Sequence, residues 1–187
     1  MRTDWDYTEL AKSYLKRPQY ADEIIDWIIS NAKLNRGSAV CDIGAGTGNL
    51  AAKLLERGLK VTAVEPNDAM RELGMKHTAH LGTICWVEGT GESTGLSNGE
   101  FKLVGYGSSF NVVNAYRALC EVARILDTDG WFACMWNHRD LQDPIQSQIE
   151  GIIRSEVPGY GYGSRREDQT STIAKSGVFG PVLHKEA

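Results

Sequence analysis

The sequence predicts an α/β domain with a doubly wound, mostly parallel sheet. Short apolar runs alternate with amphipathic segments along most of the chain, the first run leads directly into a glycine-rich turn, and the second run ends in Glu65. Strands that alternate with helices form a parallel sheet covered by helices on both faces. With 187 residues, 42% of them apolar, the chain is long enough for one domain with its own core.

The elements follow from local patterns along the chain. Pro18 suits the first turn of a helix, Gly58 a helix end, and Asn67 a helix cap. Apolar spacing then distinguishes helices from strands. The predicted helices are 5–15, 18–33, 48–57, one that opens at 66–67, 112–126 and 143–155, and the predicted strands are 38–43, 60–65, 84–87, 101–106 and 131–136.

The composition excludes several classes of function. The net charge of −4, without a basic stripe, disfavours nucleic acid as a partner. No apolar run approaches the roughly 20 residues of a membrane span, and the N-terminus lacks the apolar core of a signal peptide. The four cysteines show no CxxC spacing, so we expect them to be reduced and mostly buried. These features predict a cytoplasmic protein without a membrane partner.

The glycine turn in "CDIGAGTGNLA" holds the main functional signal. A dinucleotide fingerprint requires G-x-G-x-x-G, whereas here the third glycine, Gly48, comes one position early and Asn49 occupies the required place. The P-loop pattern is absent. The turn could still serve packing alone, but Glu65 closes the second strand, where a carboxylate can accept hydrogen bonds from both hydroxyls of a ribose. A solvated strand end is the alternative for Glu65.

Five segments in order resemble the motifs of class I S-adenosylmethionine-dependent methyltransferases. They are "VCDIGAGTGNLA", "VTAVEPNDAM", "VEGTGESTGL", "FKLVGYGSSFNVV" and "ARILDTDGWFACMWN", and "YLKRPQY" resembles the helical lid of the small-molecule branch. The resemblance implies a Rossmann-like methyltransferase fold over a single domain, 1–187. Within it we expect an N-terminal helical lid at 1–36, a cofactor-binding core at 37–140, and a substrate-side helix and tail at 141–187.

S-adenosyl-L-methionine is the cofactor that the resemblance implies. It carries no phosphate, so a turn that brings bare backbone close to the ligand suits it. By resemblance, Gly44 and Gly46 line the methionine and ribose, Asp42 orders the loop, and Glu65 holds the ribose. The full set of expected cofactor-binding residues is Asp42, Gly44, Ala45, Gly46, Glu65, Pro66, Met70, Thr90, Gly91, Glu92 and Tyr106. Relatives often carry Asp in the place of Thr90, so a weaker hold on adenine is expected.

Catalytic candidates lie where the last two predicted strands end. His138 either takes a proton from a hydroxyl or ammonium acceptor or only orders its loop. Tyr106 either touches the methionine end of the cofactor or fills the core. Tyr14, Phe110 and Asn111 are the expected acceptor-contacting residues.

Other side chains carry weaker expectations. The aromatic residues Trp5, Tyr7, Tyr14 and Tyr20 either cover the acceptor as a lid or pack the helices. Arg17 either pairs with the cofactor carboxylate or is a surface residue, and Arg165–Arg166 either recognise an acidic acceptor or are solvated. His77 and His80 lack a cysteine or carboxylate partner, so no metal site is expected.

The end of the chain is harder to interpret. Residues 127–130 read as a turn, 157–164 as a flexible loop, and 177–187 as one more strand. Methyltransferases of this class have seven strands, so the predicted sheet lacks its last strands and leaves an edge that favours pairing with another chain. We therefore hypothesise either a truncated, catalytically weakened enzyme or a homodimer.

The favoured function is transfer of a methyl group to a small-molecule acceptor, with O or N preferred over C as the accepting atom. The "GYGSSFN" segment lacks the Pro-Pro-aromatic pattern of base-modifying relatives, which argues against nucleic-acid substrates. The alternatives are a non-catalytic S-adenosylmethionine-binding module or truncated methyltransferase and, against the glycine spacing, an NAD-dependent oxidoreductase.

Overall fold

A computed structural model describes residues 8–160 and 168–187. Its centre is a five-stranded sheet in the order β3-β2-β1-β4-β5, with every neighbouring pair parallel. The strands are β1 (Ala39–Ile43), β2 (Lys60–Val64), β3 (Ile84–Val87), β4 (Phe101–Gly107) and β5 (Leu126–Met135). The predicted doubly wound, mostly parallel fold is confirmed.

Helices cover both faces of the sheet. They are α1 (Ala11–Tyr14), α2 (Asp22–Asn31), α3 (Asn49–Glu56), α4 (Asp68–Thr78), α5 (Ala115–Ile125), α6 (Pro144–Glu156) and α7 (Thr170–Lys175), with 3-10 turns at Thr8–Leu10 and Phe110–Val112. The predicted cap is confirmed, because the Asn67 side chain accepts a hydrogen bond from the Met70 N–H. No helix in the described part of the chain is both long and apolar enough to span a bilayer.

The core is divided into two layers by the alternation of side chains along the strands. Val40 and Leu103 pack on the face covered by α2 and α3. Their successors, Cys41 and Val104, pack on the opposite face against α5. This period of two on a sheet buried on both sides produces the apolar runs seen in the sequence.

The start of the last strand differs from the prediction. The expected turn at 127–130 lies inside β5, which begins at Leu126 opposite Phe101 and resumes regular pairing at Trp131 opposite Leu103. Extra residues are therefore accommodated as a bulge, with Asp129 at a positive φ of 63°.

The expected strand at 177–187 was wrong. This segment has no strand structure, and the short helix α7 before it was not predicted. Phe179 packs against Phe132 of β5, with ring centroids 5.4 Å apart, so the tail covers one face of the sheet without extending it. Among the described residues β5 pairs with β4 alone.

The expectation that the cysteines are mostly buried was also wrong. All four are free, but only Cys41 is buried, Cys134 is half-buried, and Cys85 and Cys120 are exposed. Cys85 lies on the edge strand β3 and Cys120 on α5.

Two glycines inside helices give a matched test of the packing. A Cβ on Gly74 of α4 would lie 2.2 Å from the Trp86 ring, whereas one on Gly151 of α6 would meet nothing within 4 Å. Gly151→Ala should stabilise the protein by about 0.5–1 kcal/mol through backbone entropy. Gly74→Ala should destabilise it by about 1–3 kcal/mol, because the ring must move.

Urea denaturation of both variants measures this difference. The Trp86 ring is held in place by its hydrogen bond to Thr78, which in turn donates to the Gly74 carbonyl. Equal stabilisation by the two alanines would show that the Trp86 ring is not fixed against α4.

Candidate active site

A deep cleft lies at the carboxyl ends of the strands, where the strand order reverses between β1 and β4. Ligands bind at this switch point in open α/β sheets. The cleft has a volume of about 1440 Å³. This exceeds the roughly 300–1,000 Å³ of a single small-molecule site, so two ligands can be accommodated side by side.

The turn after β1 brings bare backbone to the cleft. Gly44, Gly46 and Gly48 all adopt positive φ, at 65°, 57° and 84°. A Cβ on Gly44 would lie 2.6 Å from the Cβ of Ser109, whose hydroxyl donates to the Ile43 carbonyl at 2.7 Å. Glycine is therefore required here both by backbone conformation and by the close approach of the chain after β4.

Asp42, at the end of β1, is hydrogen-bonded across the turn. Its Oδ2 accepts a hydrogen bond from the Ala51 N–H at 3.0 Å, which links the end of β1 to the first turn of α3. The side chain is buried, and desolvation raises its pKa to about 7 even though the Ala51 N–H lowers it. The second oxygen, Oδ1, has no hydrogen-bond partner.

Unpaired buried polar atoms are concentrated in this loop. Within the described residues, those found are Asp42 Oδ1, Thr47 Oγ1 and Asn49 Oδ1, all three within the turn or at its ends. Buried polar atoms in folded proteins have partners with few exceptions. Such a cluster bordering a cleft fits a polar ligand that completes the hydrogen bonding, and the residues present therefore suit a nucleoside with a charged tail.

Glu65 follows β2 directly and faces the cleft, as predicted. Its Oε2 accepts from the Gly46 N–H at 2.8 Å and its Oε1 from the Asn67 N–H at 2.9 Å. Burial raises its pKa, although these two N–H groups lower it. Each carboxylate oxygen can accept more than one hydrogen bond, so capacity for ribose hydroxyls remains.

The expected adenine-side residues border the same part of the cleft. Pro66, Met70, Thr90, Gly91 and Glu92 all line it. Backbone hydrogen bonds between Thr90 and Ser93 close a tight turn, and Glu92 Oε1 accepts from the Asn114 N–H at 2.7 Å.

Tyr106 is hydrogen-bonded to the turn between Thr90 and Ser93. Its side chain is fully buried, and its hydroxyl donates to the Gly91 carbonyl at 3.2 Å. Burial raises the pKa of the phenol far above its usual range, so the hydroxyl stays protonated. This geometry gives Tyr106 a positioning role and argues against proton transfer by this residue.

The expectation that Phe110 contacts the acceptor was wrong. Ser108, with a φ of 60°, turns the chain at the end of β4, and Phe110 then points into the core. It packs edge-on against Tyr106, with centroids 5.3 Å apart, and against Phe132 at 5.5 Å. Asn111 does border the cleft, where its Oδ1 accepts from the Trp136 indole N–H at 3.1 Å.

The N-terminal segment closes over the opposite half of the cleft. The Arg17 guanidinium lies 4.3 Å from the centroid of the Tyr14 ring, and both side chains line the cleft. The Tyr20 hydroxyl lies 3.1 Å from Ser108 Oγ. Burial raises the pKa of Tyr20 to about 12, although the Ser108 hydrogen bond lowers it. Trp5 and Tyr7 lie outside the described residues.

Asn137 fastens this segment to the end of β5. Its Nδ2 donates to the carbonyls of Pro18 at 3.0 Å and Gln19 at 3.3 Å. His138 follows, exposed and bordering the cleft. Arg139 also borders the cleft, where its Nη1 donates to Glu150 Oε2 at 2.8 Å. Arg165 and Arg166 lie outside the described residues.

Sequence reasoning did not assign the hydrogen bonds of Tyr20, Ser109, Asn137 and Arg139. The spacing of these residues carries no motif, because their partners are 66–119 positions away for the first three. One sequence feature could have indicated the position of Tyr20, namely the glycine at 107. The structure shows why that glycine is needed, because a Cβ there would lie 2.8 Å from the Tyr20 hydroxyl.

His77 has a structural partner in the glycine turn. Its Nδ1 lies 2.8 Å from the Thr47 carbonyl oxygen, which ties the end of α4 to the loop. Across 8–160 and 168–187, no cluster of three or more His, Cys, Asp or Glu side chains is arranged to hold a metal ion.

The structure defines a doubly wound α/β domain with a cleft at its switch point, and comparison with known proteins specifies its family. Residues 41–134, half of the chain, match the methyltransferase domain family. The chain belongs to this family, which confirms the predicted class I methyltransferase fold and S-adenosyl-L-methionine as the cofactor of its class.

Individual relatives agree with this assignment. An uncharacterized methyltransferase of Mycobacterium tuberculosis is 38% identical over 124 residues, 66% of this chain and 48% of the relative. One of Schizosaccharomyces pombe is 28% identical over 186 residues, 91% of this chain and 73% of the relative. The chain thus spans about half the length of the mycobacterial relative. The fold also matches a candidate S-adenosyl-L-methionine-dependent methyltransferase of Methanococcus maripaludis, with a TM-score of 0.68, 18% identity, and coverage of 95% of this chain and 85% of that one.

The raised pKa of Asp42 predicts a pH dependence of stability. Its native pKa of about 7 exceeds the unfolded value of 3.8, so the native state binds the proton more tightly. The corresponding stability is present below pH ~4 and is lost as the pH rises through about 7. Asp42→Asn does not titrate, so its stability relative to the unmodified protein should increase between these limits.

Urea unfolding of both proteins from pH 4 to pH 8 measures this difference. Glu65 is present in both proteins, so its own pH dependence largely cancels. A difference that stays constant across the range would contradict the raised native pKa of Asp42.

Proposed function

We propose that the protein transfers a methyl group from S-adenosyl-L-methionine to a small-molecule acceptor, with oxygen or nitrogen as the accepting atom. The observation that carries this proposal is the single cleft that joins two different halves. One half offers bare backbone and Glu65, and the other offers polar side chains at the ends of β4 and β5.

The chain's own residues suit such a cofactor better than a dinucleotide. When bound, the cofactor supplies an electrophilic methyl group on a positively charged sulfur. Asp42 Oδ1 would accept from an ammonium group, and Glu65 from ribose hydroxyls, while Arg17 would pair with the cofactor carboxylate. The buried acidic side chain of Asp42 beside the glycine turn would repel a pyrophosphate, which disfavours NAD.

Positioning is the main contribution expected from the chain. Holding two reactants in line can supply about 7–11 kcal/mol of the barrier. The hydrogen bonds of Tyr20 with Ser108 and of Asn137 with the Pro18 and Gln19 carbonyls would hold the lid segment over the acceptor half and exclude water. His138 would take the proton of a hydroxyl acceptor as its oxygen bonds to the methyl group, or the proton of an ammonium acceptor before its nitrogen attacks; in either case the bond from the methyl group to sulfur breaks and leaves a neutral thioether.

Other properties of the whole protein remain predictions from the sequence. These are a cytoplasmic location, a homodimer, and the absence of a nucleic-acid partner. β5, which forms one edge of the described sheet, supports pairing with a second copy.

Binding calorimetry tests the cofactor site. S-adenosyl-L-methionine and its demethylated product should bind, and NAD should not. Glu65→Gln should weaken both by about tenfold or more, because an amide offers one acceptor oxygen where the carboxylate offers two. Glu88→Gln, an acidic residue after the neighbouring strand that does not line the cleft, is the matched control and should bind normally.

Equal binding by the Glu65 and Glu88 variants would place the ribose elsewhere. Tight NAD binding would instead favour the oxidoreductase alternative.

Turnover across pH tests the role of His138. With hydroxyl or amine acceptors, His138→Ala should lower the rate by about 10²–10⁴-fold and change its dependence on pH. His80→Ala, at an exposed position that does not line the cleft, is the control for a histidine change of the same size. Unchanged turnover in His138→Ala would rule out the base, and cofactor binding without any turnover would favour a non-catalytic module.

A further inference from the structure

Charged side chains are segregated along the cleft. Across 8–160 and 168–187, the acidic residues that line it are Asp42, Glu65 and Glu92, and all lie beside the turn after β1 or on the segments that follow β2 and β3. Within the described residues, the lining residues that follow β5 include Arg139 but no aspartate or glutamate. The half of the cleft assigned to the acceptor is therefore the more positive one.

Arg139 is held in place by a buried carboxylate. Glu150 of α6 is only 3% exposed, and its Oε2 accepts from Arg139 Nη1 at 2.8 Å. Its other oxygen, Oε1, accepts from Arg154 Nε at 3.3 Å. One carboxylate thus faces two guanidinium groups, so the three side chains together carry a net charge of +1.

The two arginines differ in what else they face. Arg154 is 58% exposed and does not line the cleft, whereas Arg139 is 36% exposed and does. Two neutral hydrogen-bonding side chains lie on the same side of the cleft: the Tyr160 hydroxyl is 3.3 Å from Arg139 Nη1, and Gln146 also lines the cleft. A guanidinium fixed by a buried partner pays little ordering entropy when it binds a planar anion.

We propose that Arg139 binds a carboxylate of the methyl acceptor, so that the substrate is a small organic acid. This rests on the proposed function, because it assigns the acceptor half of the same cleft. Arginine's forked N–H groups match a carboxylate, and Glu150 positions the guanidinium without fully neutralising the pair of arginines. The acidic residues at the other end of the cleft would repel the same anion, which orients the acceptor toward β5.

The experiment compares acids with their amides. Benzoate, phenylacetate and succinate, each paired with its amide, are titrated by calorimetry into the protein saturated with S-adenosylhomocysteine. At least one acid should bind about tenfold or more tightly than its amide, as expected for a charge-assisted bond. Arg139→Gln should lose this preference, and Arg139→Lys should retain part of it.

Arg154→Gln is the matched control because it also removes one of the two arginines on Glu150. It should keep the preference for the acid. Loss of the preference to the same extent in both variants would assign Arg139 a structural role only and overturn the proposal, as would equal binding of all three acids and their amides to the unmodified protein.

The two proposals fail differently. Repeating the titrations without S-adenosylhomocysteine measures the carboxylate site on its own. A protein that binds neither S-adenosylmethionine nor its product refutes the proposed function, while an acid preference that depends on Arg139 still supports the anion site. A protein that binds the cofactor but shows no acid preference refutes the anion site alone.

Discussion

The site depends on how the end of β2 holds the glycine turn after β1. The Val64 carbonyl accepts from the N–H groups of both Gly44 and Ala45, at 2.9 and 3.1 Å, and the Glu65 carboxylate accepts from the next glycine, Gly46. Val64 and Glu65, at the end of β2, thus fix three consecutive residues of the turn after β1, Gly44 to Gly46. Because the same carboxylate that fixes the turn also faces the cleft, one side chain sets both the shape of the turn and the acidic character of this part of the cleft.

This arrangement explains why the turn tolerates unpaired polar atoms. Asp42, Thr47 and Asn49 each keep a buried oxygen without a partner, which costs stability in the absence of a ligand. The turn cannot relax to pair them, because Val64 and Glu65 hold its start and Ser109 blocks the space beside Gly44. Stability is thus sacrificed at a site whose polar atoms a ligand can satisfy, as is common where function and folding compete.

The sequence predicted the sheet and the glycine turn well because both depend on local patterns. Glycine spacing, strand alternation and the acidic strand end are readable within a few residues, and Asn67 was recognisable as a cap. The prediction for Phe110 was wrong because Ser108 adopts a positive φ that turns the chain after β4. A serine in the sequence does not indicate a positive φ. The Arg139–Glu150 pair was missed because it joins a loop to a helix through burial, which composition does not reveal. The tail was misread because apolar residues in 177–187 pack on β5 without joining the sheet.

The loop after β5 connects the N-terminal segment to the proposed anion site. Asn137 holds the Pro18 and Gln19 carbonyls, and Arg139, two residues further along the same loop, is held by Glu150 of α6. An acid bound at Arg139 would therefore contact the same loop that holds the N-terminal segment through Asn137. The N-terminal segment has a second contact, between Tyr20 and Ser108 at the end of β4. If Arg139 binds the acceptor as proposed, acceptor binding would be coupled to the position of the N-terminal segment, because Asn137 and Arg139 belong to the same loop. The same loop carries His138 between them, so an acid held at Arg139 would also restrict the position of the proposed base.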